Sequence, residues 1–116
     1  MKFLILIYNN PQSRAVWQSL PPAQREAGLA AYRALDAELE ASGELVVAAP
    51  LAPSAGTSVG PLATDGPFAE VKEFLAGFYV VECDDIERAR QIAARIPEAE
   101  FGAVEVRPTI TLDEFA

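Results

Sequence analysis

The chain predicts an α+β domain of the ferredoxin-like, split βαβ kind, and three observations carry that expectation. Strand and helix patterns follow the order β-α-β, a hairpin-like middle, then β-α-β. Two amphipathic stretches, 23–42 and 84–96, repeat their apolar residues at helical spacing. Two strand-like stretches, 3–8 and 77–83, are aromatic, β-branched or aliphatic on both faces, which calls for cover on both sides of a sheet. The 116 residues suffice for one domain spanning 1–116 with a modest core.

Each element has its own justification. Residues 3–8 run without a charge and stop at Asn9-Asn10-Pro11, a turn signal. Residues 9–18 read as a turn or loop, with Trp17 packing as a lid over apolar surface. Pro21-Pro22 sets a helix start, and 23–42 is rich in Ala, Leu, Glu and Arg, all good helix formers. Leu29, Tyr32, Leu35 and Leu39 share one stripe, Glu26, Arg33 and Glu40 face water, and Gly43 is the C-terminal cap. A second strand covers 44–49. Residues 57–64 are weakly strand-like, with a turn or bulge at Gly60-Pro61. After the strand at 77–83, Asp84 and Glu87 form an approximate capping box for a helix that buries Ile86, Ala89, Ile92, Ala93 and Ile96 and stops at Pro97. Alternation over 103–107 closes the sheet. Two helices cover only one face, so an identical sheet is the economical cover for the other, and a homodimer is expected.

Composition excludes several functions. Nine Lys and Arg stand against 17 Asp and Glu, a net charge of −8, and no basic block exists. Nucleic acid and anionic membranes, which need clustered cations, are therefore disfavoured. The opening apolar run lacks a small-residue cleavage site, and no segment is long enough to span a bilayer. The lone Cys83 fits a reducing compartment, so a cytoplasmic protein is expected. There is no Cys/His ligand set, no Gly-rich phosphate loop and no Gly-x-Ser-x-Gly elbow, so no metal or cofactor is expected.

Asp65-Gly66-Pro67-Phe68-Ala69-Glu70, followed by Lys72-Glu73 and Gly77-Phe78-Tyr79, is the most specific stretch. With the opening strand, the acidic helix start from Asp84 to Ala89 and the closing Val104-Glu105-Val106-Arg107-Pro108, it resembles the DGPF-type members of the YCII-related proteins. The resemblance covers nearly the whole chain. It implies a dimeric α/β barrel, two ferredoxin-like sheets packed face to face. Two departures stand out: the segment between Ala55 and Thr64 is shortened, and the His–Asp pair credited to the broader group has no counterpart. The chain contains no histidine, so a His-dependent mechanism is excluded.

Asp65 is the leading candidate for catalysis, as a general acid or base whose pKa rises on desolvation. The competing role for Asp65 is an Asx-type turn cap. Tyr8 and Tyr79 are candidates for orienting a ligand between sheets, or else core and interface residues. Lys72 and Arg107 are candidates for holding an anionic group, or else surface ion pairs with Glu70, Glu73 or Glu105. Cys83 reads as buried and inert. The expected function is binding of a small molecule, or cofactor-independent proton transfer or elimination on one, in a cleft near Asp65. The alternative, implied by the resemblance, is a regulatory module that contacts a sigma factor and acts through protein rather than DNA.

Overall fold

Lys2–Asn9 forms strand β1, which buries Phe3, Ile5 and Ile7 and turns Leu4, Leu6 and Tyr8 to the opposite side. That alternation fixes which way the domain is built. In the computed structural model, which describes residues 1–52, 59–60, 74–101 and 103–116, β1 lies inside a four-stranded antiparallel sheet. The other strands are β2 (Leu45–Pro50), β3 (Phe74–Glu82) and β4 (Val104–Pro108), in the order β2-β3-β1-β4. With helices between β1 and β2 and between β3 and β4, this is the ferredoxin-like arrangement the sequence predicts.

Both long helices pack on one face. Helix α2 (Pro22–Ser42) contributes Leu35 and Leu39, and α3 (Ile86–Ala94) contributes Ala89, Ile92 and Ala93, to a core that meets Phe3, Ile5, Tyr79 and Val81. Fully burying each large side chain here contributes roughly 1.5–3 kcal/mol. Gly43 ends α2 in the left-handed conformation at φ 77°, and its N–H caps the carbonyls of Leu39 and Glu40. The opposite face of the sheet carries Leu4, Leu6, Phe78 and Val80 in register, all half-buried, with Val47 and Ala49 beside them on β2.

Local chemistry departs from expectation in three places. Residues 9–18 do not form a loop: Pro11–Ser19 is a helix, α1. Asn10 accepts the Ser13 N–H at 2.8 Å, Ser13 Oγ accepts the Asn10 N–H at 2.9 Å, and Pro11 supplies a preset first turn. The N-cap of α3 is Asp85 rather than Asp84: its backbone is extended and its side chain accepts the Arg88 N–H at 2.9 Å. Pro97 does not end α3 directly. The helix stops at Ala94, and Pro97 opens a short 3-10 turn, Pro97–Phe101. A last helix, α4 (Leu112–Phe115), rests on a Thr111–Glu114 capping box. No helix among the described residues is long and apolar enough to cross a membrane.

A bidentate ion pair helps tie the two halves of the fold together. Arg88 on α3 donates through Nε and a terminal nitrogen to the two carboxylate oxygens of Glu44, both at 2.8 Å, just before β2. The Ser42 hydroxyl adds a third bond at 2.8 Å. These donors hold the Glu44 carboxyl at about 2, below its usual 4.5, with Arg88 the larger cause. Because the folded value is depressed, the stabilisation is complete above pH 4.5 and disappears as pH falls toward 2. The advantage of wild type over Glu44→Gln in chemical denaturation should be about 1–2 kcal/mol at pH 6, discounted for solvent, and absent near pH 2. Asn10→Ala should cost about 1 kcal/mol and raise amide exchange in α1 well before the sheet responds.

Candidate functional site

A cavity of about 490 Å³ lies on the helix-facing side of the sheet, where α1 and α2 meet β2 and β3. Its size falls in the range of small-molecule sites. Ile7, Ala48 and Gly77 contribute from the strands, while Trp17 and Leu29 contribute from the helices. Trp17 is seated by a missing side chain on α2. A Cβ at Gly28 would stand 3.0 Å from two carbons of the indole ring, tighter than ordinary contact, so a larger residue would push the ring back by a few tenths of an ångström.

Two tyrosine–carboxylate pairs define the polar part of the cavity. The Tyr79 hydroxyl, carried by β3, donates to Asp36 Oδ1 on α2. The Tyr32 hydroxyl, also on α2, donates to Glu98 Oε2 in the 3-10 turn. Burial raises the pKa of both phenols, and the accepting carboxylate raises each further. Each pair also feels the other: Glu98 disfavours a Tyr79 phenolate, and Asp36 disfavours one at Tyr32. Both hydroxyls therefore stay protonated at neutral pH. A phenol that donates to a carboxylate keeps oxygen lone pairs for a ligand, so a ligand O–H can pass a proton to the tyrosine oxygen as the carboxylate takes the tyrosine's own.

The cavity also contains cations. Arg14 of α1 and Arg25 of α2 line it, and neither makes an ion pair among the described residues. The Arg25 Nε atom is buried and has no hydrogen-bond partner among the described residues.

The residues singled out in the sequence separate. Tyr79 is in this cavity. Tyr8 points to the other face of the sheet, where its hydroxyl donates to Glu105 at 3.3 Å. Arg107 is exposed on that same outer face, in register with Leu4. Strand alternation is the reason: Tyr79 pairs with Ile5 on the core side, whereas Tyr8 follows Leu4 and Leu6 outward. The two tyrosines therefore do not share a pocket. Asp65 and Lys72 lie outside the described residues. Asp36, Glu98, Arg14 and Arg25 were not picked out, and one signal was legible: Tyr32 and Asp36 are four apart on α2 and so share a face.

A second concavity, about 520 Å³ and wide open, lies at the start of α3 among Glu44, Glu82, Asp84, Asp85 and Glu87. Its charges serve the fold: Glu44 holds Arg88, and Asp85 caps α3. Cys83 beside it is buried, its thiol pushed up chiefly by burial, consistent with an inert cysteine.

Residues 1–113 match the family described as the YCII-related domain. An uncharacterised protein of Rhizobium meliloti (strain 1021) is 31% identical over 116 residues, which cover 93% of this chain and 91% of that protein. Among solved structures, the chain resembles 5-chloro-2-hydroxyhydroquinone dehydrochlorinase from Burkholderia phenoliruptrix AC1100, determined in complex with 2,5-dihydroxybenzoquinone. That likeness has a TM-score of 0.56 and 20% identity and covers 98% of each chain, and it speaks for the fold. On the match along almost its whole length, and on the relative that shares nearly a third of its residues, this chain belongs to the YCII-related family.

Proposed function

We propose that the chain binds a small hydroxylated molecule in the cavity beneath α1 and α2, and that it catalyses proton transfer or elimination there without a cofactor. The observation that carries this reading is the pair of tyrosine–carboxylate hydrogen bonds inside a cavity of small-molecule size. Asp36, acting through Tyr79, is the base. A ligand hydroxyl gives its proton to the Tyr79 oxygen and the Tyr79 proton passes to Asp36; the electron pair left on the ligand expels a leaving group, or shifts a double bond while a ligand carbon takes a proton back from Tyr79 as Asp36 returns its own. Glu98 and Tyr32 hold a second ligand oxygen. Asp65 remains a rival for the base on sequence grounds.

The 2,5-dihydroxybenzoquinone bound by the dehydrochlorinase is a small hydroxylated ring and a suitable first probe. Trp17 is the sole tryptophan and lines the cavity, so binding should quench its fluorescence saturably. Tyr79→Phe should weaken the probe about tenfold, the worth of one well-placed hydrogen bond. On any substrate that turns over, Asp36→Asn should lower the rate by about 10²–10⁴ while the melting temperature shows the fold intact. Full activity in Asp36→Asn with loss in Asp65→Asn would transfer the role of base to Asp65. Absence of quenching by the probe and by a panel of hydroxylated aromatics would reject the cavity as a binding site.

We also propose that the outer face of the sheet is covered by a second copy of the chain. Leu4, Leu6, Phe78 and Val80 form a continuous apolar strip there, and Val47 beside it is 45% exposed. An apolar sheet face on a chain of net charge −8 is best buried against its own image, where a two-fold axis makes one patch serve twice. Sedimentation should give a dimer for wild type and a folded monomer for Val80→Asp. A wild-type monomer at high concentration would reject this arrangement.

A further inference from the structure

The cavity combines two kinds of charged group that the fold keeps apart. Its carboxylates, Asp36 and Glu98, are engaged by tyrosine hydroxyls. Its guanidinium groups, on Arg14 and Arg25, have no carboxylate partner among the described residues. Four other arginines pair with carboxylates, Arg33 with Glu26, Arg88 with Glu44, Arg90 with Glu87 and Arg95 with Glu38, while Arg107 is exposed on the outer face of the sheet. Among the described residues, both arginines at this cavity stand without a carboxylate, in a chain of 17 acidic against 9 basic residues.

Arg25 adds a second, independent observation. Its Nε–H is buried without an acceptor among the described residues. A buried donor with no partner carries a desolvation cost, larger when the group is charged. The two terminal nitrogens of a guanidinium form a further edge that receives a carboxylate in two parallel hydrogen bonds.

Resting on the reading of this cavity as the binding site, we infer that its ligand is an anion: a small aromatic carboxylate or similarly charged ring compound. Its anionic group is received by Arg25 with Arg14 in support, and its ring lies against Trp17. Its hydroxyl reaches the Tyr79–Asp36 and Tyr32–Glu98 pairs. The arginines would then set specificity and orientation, and the tyrosine–carboxylate pairs would face the opposite, reacting end.

The test compares 4-hydroxybenzoate with its neutral counterpart 4-hydroxybenzamide, which keeps the ring and hydroxyl and removes the charge. Binding to the full chain is followed by Trp17 quenching and cross-checked by calorimetry. The carboxylate should bind at least about tenfold tighter than the amide, the range of a charge-assisted bidentate contact. In Arg25→Gln that preference should fall to about twofold, with Arg25→Lys intermediate, because lysine restores the charge without the fork. Arg14→Gln supplies a second reading if Arg25→Gln fails to fold. Equal binding of both compounds in wild type, or an unchanged preference in both glutamine variants, would overturn the inference while leaving the cavity a binding site. Failure of both compounds to bind would remove the inference together with the reading on which it rests.

Discussion

Tyr79 carries a polar tip on a side chain that belongs to the core. Its ring is packed between β1 and α2, 4% exposed, and a phenol so placed needs an acceptor for its hydroxyl. Asp36 is that acceptor, 43 residues earlier in the chain. The bond fixes how α2 lies over β3, since a helix shifted by one residue would turn Asp36 away and lift Leu35 and Leu39 from the sheet. The space left toward β2, where Ala48 and Gly77 present almost no side chain, is the cavity. The fold and the candidate site thus share one hydrogen bond.

Elements whose pattern is set by burial were readable from sequence. Strand β1 was legible as an uncharged run apolar on both faces, though not which side is buried, and Leu35, Leu39, Ala89 and Ile92 repeat because a helix has one buried stripe. Helix α1 was not readable in this way, because it buries no residue and offers no stripe. Its only signals are Asn10, Pro11 and Ser13, and Asn-Pro reads equally well as a turn. The capping box becomes decisive only once Ser13 is seen to close it. The site was harder still. Asp36 and Glu98 look like ordinary surface carboxylates, and their tyrosine partners lie 43 and 66 residues away. Pairings over such separations are set by topology and leave no local trace. The family signature around Asp65 directed attention to a segment outside the described residues.

Charge is distributed unevenly for physical reasons. Carboxylates dominate the surface, where water and helix N-termini accept them readily. The ion pair between Glu44 and Arg88 is less exposed and bidentate, which places it above the usual surface pair in worth. It joins the residue that opens β2 to the first turn of α3, so each βαβ half is anchored to the other away from the cavity. The cavity end of the domain is held mainly by apolar contact and the two phenol bonds.

Because α1 buries no side chain of its own, its attachment consists of one capping box and an indole ring laid on a glycine. Segments of this kind open locally at a free-energy cost far below that of global unfolding. The roof of the cavity and the core of the sheet therefore belong to different cooperative units. A short helix held this way exchanges its amide protons on a timescale of its own, while the four strands stay assembled. Changes at Asn10, Ser13 and Gly28 therefore act on this helix without touching the residues that hold the sheet together.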